Sequence, residues 1–217
     1  MQVLIDVDVQ NDFCDPSGAL FVAGSPCELF ASIVRRALDR RVPILGSVDS
    51  HAFDAWEFAS SGAAGPNGER PNFPDHCVKG TWGWLKVPGT LPSRFRFSPR
   101  VAGQDVDALA GELVRRESQA LYFEKEVYSL FANPNAAGTL DALARSASEP
   151  LEAWVFGVAT DYCVKAAVLG LRERGLETVL IEDAVRGITP AGTETALAEM
   201  RAAGARVARA ADFGVEG

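Results

Sequence analysis

Apolar residues along the chain come in short unbroken runs, separated by stretches in which they recur every three or four positions. QVLIDVD (residues 2–8), VPILGSVD (42–49), ALYFEK (120–125), PLEAWVFGV (150–158), ETVLIEDA (177–184) and ARVARA (205–210) are strand-length and predict six strands, most of them covered on both faces. SPCELFASIVRRALDRR places Leu29, Ile33, Val34, Ala37 and Leu38 on one helical face. Ser25, Pro26 and Glu28 supply it with an expected N-cap, a first-turn proline and a capping box. VDALAGELVRR, AAGTLDALARSA, TDYCVKAAVLGLRERG (closing at Gly175) and TPAGTETALAEMRAAG (Thr189 as cap, Pro190 at the first helical position) also read as helices. Strands alternating with helices predict a three-layer α/β/α domain built on a mostly parallel six-stranded sheet. Residues 50–90 show no period and are rich in Gly, Pro, Ser and Asn, so they are expected to form a long functional loop. With no internal repeat, residues 1–217 read as a single domain.

Composition narrows the possibilities. The chain is 47% hydrophobic and 23% charged, with a formal net charge of −8 and no basic run. That balance argues against nucleic acid and anionic membrane surfaces as partners. No apolar run is long enough to span a bilayer, and MQVLIDVDVQ enters a strand pattern with no secretory signal before it. The four cysteines show no C-x-x-C spacing, so free thiols in a reducing, cytoplasmic setting are expected.

Candidate chemistry gathers at one edge. Ligands of open α/β sheets bind beyond the carboxyl ends of the strands. Asp8, Asp49 with His51, Lys125 and Cys163 follow four successive predicted strands. Cys163 lies where a strand turns into a helix, and the positive helix end favours thiolate. The plainer reading is a small apolar residue packing helix on sheet. The chain has only two histidines, His51 and His76. Asp49-x-His51 presents a carboxylate and an imidazole to one point, and His76 would complete a three-ligand metal site with open positions. The alternative is two unrelated loop histidines. If both are metal ligands, Cys163 needs another base, and a buried Asp8–Lys125 pair could accept its proton.

LIDVDVQNDF, DSH, FPDHCVKGT, FEKEVYSLF and GVATDYCVKAA, in this order, resemble the isochorismatase-like cysteine hydrolases, in particular their metal-containing nicotinamidase/pyrazinamidase branch. The similarity runs from residue 2 to about residue 205. It implies an isochorismatase-like hydrolase fold and hydrolysis of nicotinamide, and of pyrazinamide, through a thioester on Cys163, with Asp8 and Lys125 as its catalytic partners. It further implies a divalent metal on Asp49, His51 and His76, with zinc the first choice and iron or manganese as alternatives. Some members add a glutamate seven residues before the second metal histidine, which here is Glu69. The resemblance also implies a cis Val158–Ala159 bond, an oxyanion hole from the Ala159 and Cys163 amides, and pocket walls from Phe13, Phe73 and Tyr128. The expected partner is a small aromatic amide, and a homo-oligomer is compatible with the family. KGTWGW departs from the family pattern, so Trp82 and Trp84 either reshape the pocket rim or pack in a loop core or subunit interface. Three other readings compete: a related hydrolase of isochorismate or of a carbamoyl or ureido amide, an iron oxygenase with two histidines and one carboxylate, and a non-catalytic metal-binding domain.

Overall fold

Alternate residues of the first strand enter two different cores, as the unbroken run at residues 2–8 requires. The computed structural model describes residues 1–65, 68–69 and 73–214. Pro66, Asn67, Arg70, Pro71 and Asn72 of the expected 50–90 loop, and Val215–Gly217, lie outside the described residues. In chain order the elements are β1 (Gln2–Val7), α1 (Asn11–Cys14), α2 (Cys27–Asp39), β2 (Ile44–Asp49), β3 (Phe95–Ser98), α3 (Val106–Val114), β4 (Ala120–Lys125), α4 (Ala136–Ser146), β5 (Glu152–Val158), α5 (Lys165–Glu173), β6 (Glu177–Arg186), α6 (Pro190–Ala202) and β7 (Arg206–Ala208).

The strands form one sheet in the order β3-β4-β2-β1-β5-β6-β7, and every pairing is parallel. Val3, Ile5 and Val7 of β1 pack with Leu109 and Leu113 of α3, Leu140 and Leu143 of α4, Val168 and Leu171 of α5, and Met200 of α6. Leu4 faces the other way, toward Phe30, Ile33, Val34 and Ala37 of α2 and Phe213 near the C terminus. Each fully buried aliphatic or aromatic side chain contributes on the order of 1.5–3 kcal/mol. Two helical layers therefore clamp the sheet. Among the described residues no helix is long and apolar enough to cross a membrane.

The sheet has seven strands rather than the six expected. The extra one, FRFS at Phe95–Ser98, is four residues long and largely exposed at the sheet edge, so it carries no buried apolar run. Thr189 caps α6 as expected, its Oγ1 accepting from the Gly192 amide at 3.1 Å, with Pro190 opening the helix. Ser25 does not cap α2. That helix starts at Cys27 without a side-chain cap, and the Ser25 hydroxyl instead donates to the Val22 carbonyl at 2.8 Å within the preceding turn.

Near the carboxyl end of β5, Gly157 adopts φ +126°, and a Cβ there would fall 2.0 Å from the Val7 carbonyl oxygen. Only glycine lets β5 lie this close to β1 just before Asp8. One residue further on, the Val158–Ala159 bond is cis.

One ion pair sits inside the α2-side core. Asp6 and Lys86 are both buried, with Lys86 Nζ 2.6 Å from Asp6 Oδ1 and 4.8 Å from the centre of the Tyr122 ring. Burial pushes the Asp6 carboxyl up against the pull of Lys86.

Cys14 and Cys27 meet where α1 leads toward α2, with Cys27 Sγ donating to the Cys14 carbonyl at 3.5 Å. A hydrogen bond from the Cys14 thiol holds the Cys27 thiol down, to about 7, while Cys14 itself is pushed up. Thiolate is the reactive form. Iodoacetamide labelling of Cys27 in the folded protein should therefore reach half its maximal rate near pH 7. In Cys14→Ala the midpoint should rise toward the ordinary thiol value of about 8.5. Mass-mapped labelling against pH checks this, and an unchanged midpoint in Cys14→Ala would rule out the thiol–thiol hydrogen bond.

Candidate active site

The carboxyl ends of β1, β2 and β4 and the turn after β5 deliver four reactive groups to one point. Lys125, the last residue of β4, is fully buried, and its Nζ lies 2.8 Å from Asp8 Oδ2. The same ammonium pairs with Asp49 Oδ1 and donates toward Cys163 Sγ at 3.5 Å. Asp8, Asp49 and Cys163 each place a side-chain atom within 4.8 Å of the others. Asp8 has φ +49°, a left-handed conformation that aspartate tolerates better than most residues. Cys163 lies in a π-helical turn, Thr160–Val164, that opens α5.

The charges explain the protonation preferences. Burial pushes the Asp8 carboxyl up, Lys125 opposes this, and Asp49 adds to it. Burial also acts on Asp49, but Lys125 and the two histidines outweigh it and hold that carboxyl below the usual range. Burial disfavours a charged Lys125, yet its carboxylate neighbours keep it protonated well above the ordinary lysine value. Cys163 is raised, by burial first and by Asp8 and Asp49 against the pull of Lys125. A lowered thiol was expected from the helix N-terminus alone. Here burial beside two carboxylates dominates, so the thiol rests protonated next to a carboxylate of raised basicity.

A second cluster shares Asp49. His51 Nε2 and His76 Nε2 lie 3.8 and 3.9 Å from Asp49 Oδ2. Those separations are too long for hydrogen bonds and suit atoms aimed at a common point. Both ring nitrogens of His51 are buried with no hydrogen-bond partner among the described residues. An orphaned buried imidazole is what a cation would satisfy. His76 Nδ1 is 2.7 Å from the Pro74 carbonyl. A carbonyl only accepts, so Nδ1 carries the proton and the Nε2 lone pair is left facing Asp49. Two imidazoles and a carboxylate fit zinc, iron or manganese.

Sequence reasoning missed Glu57. Its Oε2 lies 3.9 Å from His51 Nε2, it is buried, and burial followed by the Asp49 charge pushes its carboxyl up to about 7. A carboxylate between Trp56 and Phe58, six residues after His51, was the available signal, since a charge among aromatics is costly without a partner. Glu69 is placed elsewhere. It is exposed, lies outside the Asp49–His51–His76 cluster, and its carbonyl accepts from the Gly65 amide at 2.8 Å.

Phe13, Phe73 and Tyr128 line a narrow cavity of about 30 Å³ together with Asp49, Glu57, His76, Ala159 and Cys163. Tyr162, also missed, completes the wall, with its ring edge-on to Tyr128 at 5.2 Å and to Phe73 at 6.2 Å. Trp82 and Trp84 are not on this wall. Trp84 packs on Phe97 and donates to Ser50 Oγ at 3.1 Å, and Trp82 is half exposed.

Two polar residues of VQNDF hold the scaffold. Gln10 clamps the Asp49 backbone from both sides, Nε2 donating to its carbonyl and Oε1 accepting from its amide, each at 2.8 Å. Asp12 Oδ2 accepts from the Cys77 amide at 2.7 Å, which fixes the turn that carries His76. Cys77 itself is fully buried and its thiol is raised by that burial.

This sheet and this set of side chains define a class. The chain matches the isochorismatase domain over residues 2–212 and belongs to that family. Its curated relatives include the nicotinamidase of Escherichia coli, 29% identical over 225 residues and covering 98% of this chain and 96% of the relative. The nicotinamidase/pyrazinamidase of Mycobacterium tuberculosis is 29% identical over 210 residues, covering 94% and 96%. Among solved structures, the pyrazinamidase of Pyrococcus horikoshii in complex with zinc superposes with a TM-score of 0.69 at 27% identity, covering 96% of this chain and 98% of that one.

Proposed function

We propose that this protein is a metal-containing nicotinamidase that hydrolyses nicotinamide, and also pyrazinamide, to the acid and ammonia. The observation that carries this reading is the shared aspartate. Asp49 contacts both the buried Lys125 of the thiol centre and the two-histidine cluster, on the wall of one aromatic cavity.

In the proposed reaction Asp8 accepts the proton of Cys163, and Lys125 stays charged between the carboxylates to steady the ionised site. The thiolate attacks the carboxamide carbon. Backbone amides of Ala159 and Cys163 hold the developing oxyanion, a contribution of roughly 3–4 kcal/mol for one such donor. Asp8 returns its proton to the departing nitrogen, the C–N bond breaks, and a thioester remains on Cys163. Asp8 then takes a proton from water as that water attacks the thioester, the C–S bond breaks, and Asp8 gives the proton to the departing sulfur, leaving the acid and the free thiol. Phe13, Phe73, Tyr128 and Tyr162 would flank the ring. Asp49, His51 and His76 would hold the metal, whose contribution is to position the ring and withdraw charge from it.

The test is ammonia release from nicotinamide, pyrazinamide and a carbamoyl amide, with metal-loaded and metal-stripped protein. Turnover of the two aromatic amides is expected, and release from the carbamoyl compound alone would favour a related hydrolase. His51→Ala should lose most of its bound metal, measured by elemental analysis after dialysis. Full metal retention in that variant would refute the cluster as the metal site.

A further inference from the structure

The opposite edge of the sheet carries a feature that this reading does not use. Helices α2 and α3 lie on different faces, yet both run into a pair of arginines, Arg40–Arg41 and Arg115–Arg116. In each pair the second arginine is left-handed, with φ +60° for Arg41 and +62° for Arg116. That position after a helix strongly favours glycine, so a long side chain held there twice calls for a reason.

The two arginines line the same cavity. The strands they lead into, β2 and β4, are neighbours that pair from Ile44 and Ala120 onward. Arg41, Arg116 and Arg94 line one cavity of about 340 Å³, with Pro43, Ser118 and Gln119 among its other walls and no carboxylate on them. Arg94 reaches across to donate to the Arg116 carbonyl at 3.3 Å. Neither Arg41 nor Arg116 has an ion-pair partner among the described residues. Nearby arginines do, as Arg115 pairs with Glu117 and Arg96 with Glu112. The adjoining groove contains Glu149 and Glu152, but Glu152 is paired with Arg206 and Glu149 faces the N-terminal amine at 3.8 Å. In a chain of net charge −8, three arginines lining one cavity free of carboxylates are set against the overall charge.

We propose that this cavity binds a small, multiply charged phosphate anion, gripped by the guanidiniums of Arg41, Arg94 and Arg116. Forked, charge-assisted hydrogen bonds are what such groups offer a phosphate oxygen. The site lies at the amino ends of β2 and β4, away from the thiol centre, and does not depend on the catalytic reading.

The test is calorimetric titration with inorganic pyrophosphate, backed by thermal melts, each against sodium chloride of equal ionic strength. Saturable binding and a melting point raised above the chloride control are expected. Arg41→Gly/Arg116→Gly should weaken binding by about tenfold or more through the loss of two charged donors. Because glycine suits both backbone positions, that variant should melt without anion no lower than the parent. Arg35→Ala/Arg201→Ala removes the same charge elsewhere and should bind as the parent does. Absence of binding beyond the chloride control would overturn the proposal, as would equal affinity in the glycine variant or an equal loss in the control pair.

Discussion

Replacing Cys163 with alanine should lower amide hydrolysis by on the order of 10⁴-fold or more while leaving the protein folded. Both the proton transfer and the covalent bond of the proposed reaction run through that sulfur. Asp8 takes its proton, and Lys125 lies 3.5 Å from it. No other thiol can replace it, because Cys77 is fully buried in the α2-side cluster and Cys14 and Cys27 lie with it on that face. The structural cost is small. The side chain is compact and packs among Val164, Ala167 and Val168, so its loss should cost about 1 kcal/mol. Ammonia release and a urea melt on the same preparation separate the two effects. Turnover within tenfold of the parent, in a protein of unchanged melt, would sink the nucleophile assignment.

The largest stability effect is expected at Asp6 and Lys86, beside the site, where Asp6 stands two residues before Asp8 and feels its charge. Lys86→Met leaves the Asp6 carboxylate buried with no counter-ion and should cost about 3–5 kcal/mol in urea unfolding. The combined Asp6→Leu/Lys86→Met change removes both charges and should recover most of that loss, since the pair itself offsets little more than its own desolvation. The deficit of Lys86→Met should also deepen with rising pH. Burial already raises the Asp6 carboxyl, and losing the ammonium raises it further. The folded state then holds a proton that the unfolded chain releases above about pH 4. Stability therefore falls from that pH up to the folded-state value. Additive costs in the double variant, or a deficit that does not change with pH, would show that the pair is not coupled in this way.

Much of this architecture was legible because burial leaves a mark on composition. The runs at 2–8, 42–49, 120–125 and 150–158 lie in β1, β2, β4 and β5, which are buried almost throughout. The edge strand at Phe95–Ser98 left no such mark, because one flank faces solvent and alternation over four residues is too short to read. The carboxyl-edge rule brought Asp8, Asp49, Lys125 and Cys163 to one place on paper, and the structure gathers the same four side chains. Glu57 stayed hidden because its one mark, a place between Trp56 and Phe58, is weak in an aperiodic loop that holds several acids. For the same reason nothing marked Glu69 as lying outside the cluster. The state of the thiol was misjudged for a different reason. Its helix is visible in the sequence, but the two carboxylates that outweigh the helix come from strands far away in the chain.

Strand β1 stands between two blocks of the sheet, β3-β4-β2 on one side and β5-β6-β7 on the other. The thiol arrives with the second block, while Asp49, Lys125 and the histidines arrive with the first. Gln2 and Glu152, register partners across that seam, are 150 residues apart in the chain. Contacts of such long sequence separation carry the heaviest entropic cost and slow folding. Neither block alone holds a thiol beside a lysine–aspartate pair, so a partly folded chain with either block formed is chemically silent. Catalytic competence in this fold is a readout of its most distant strand pairing.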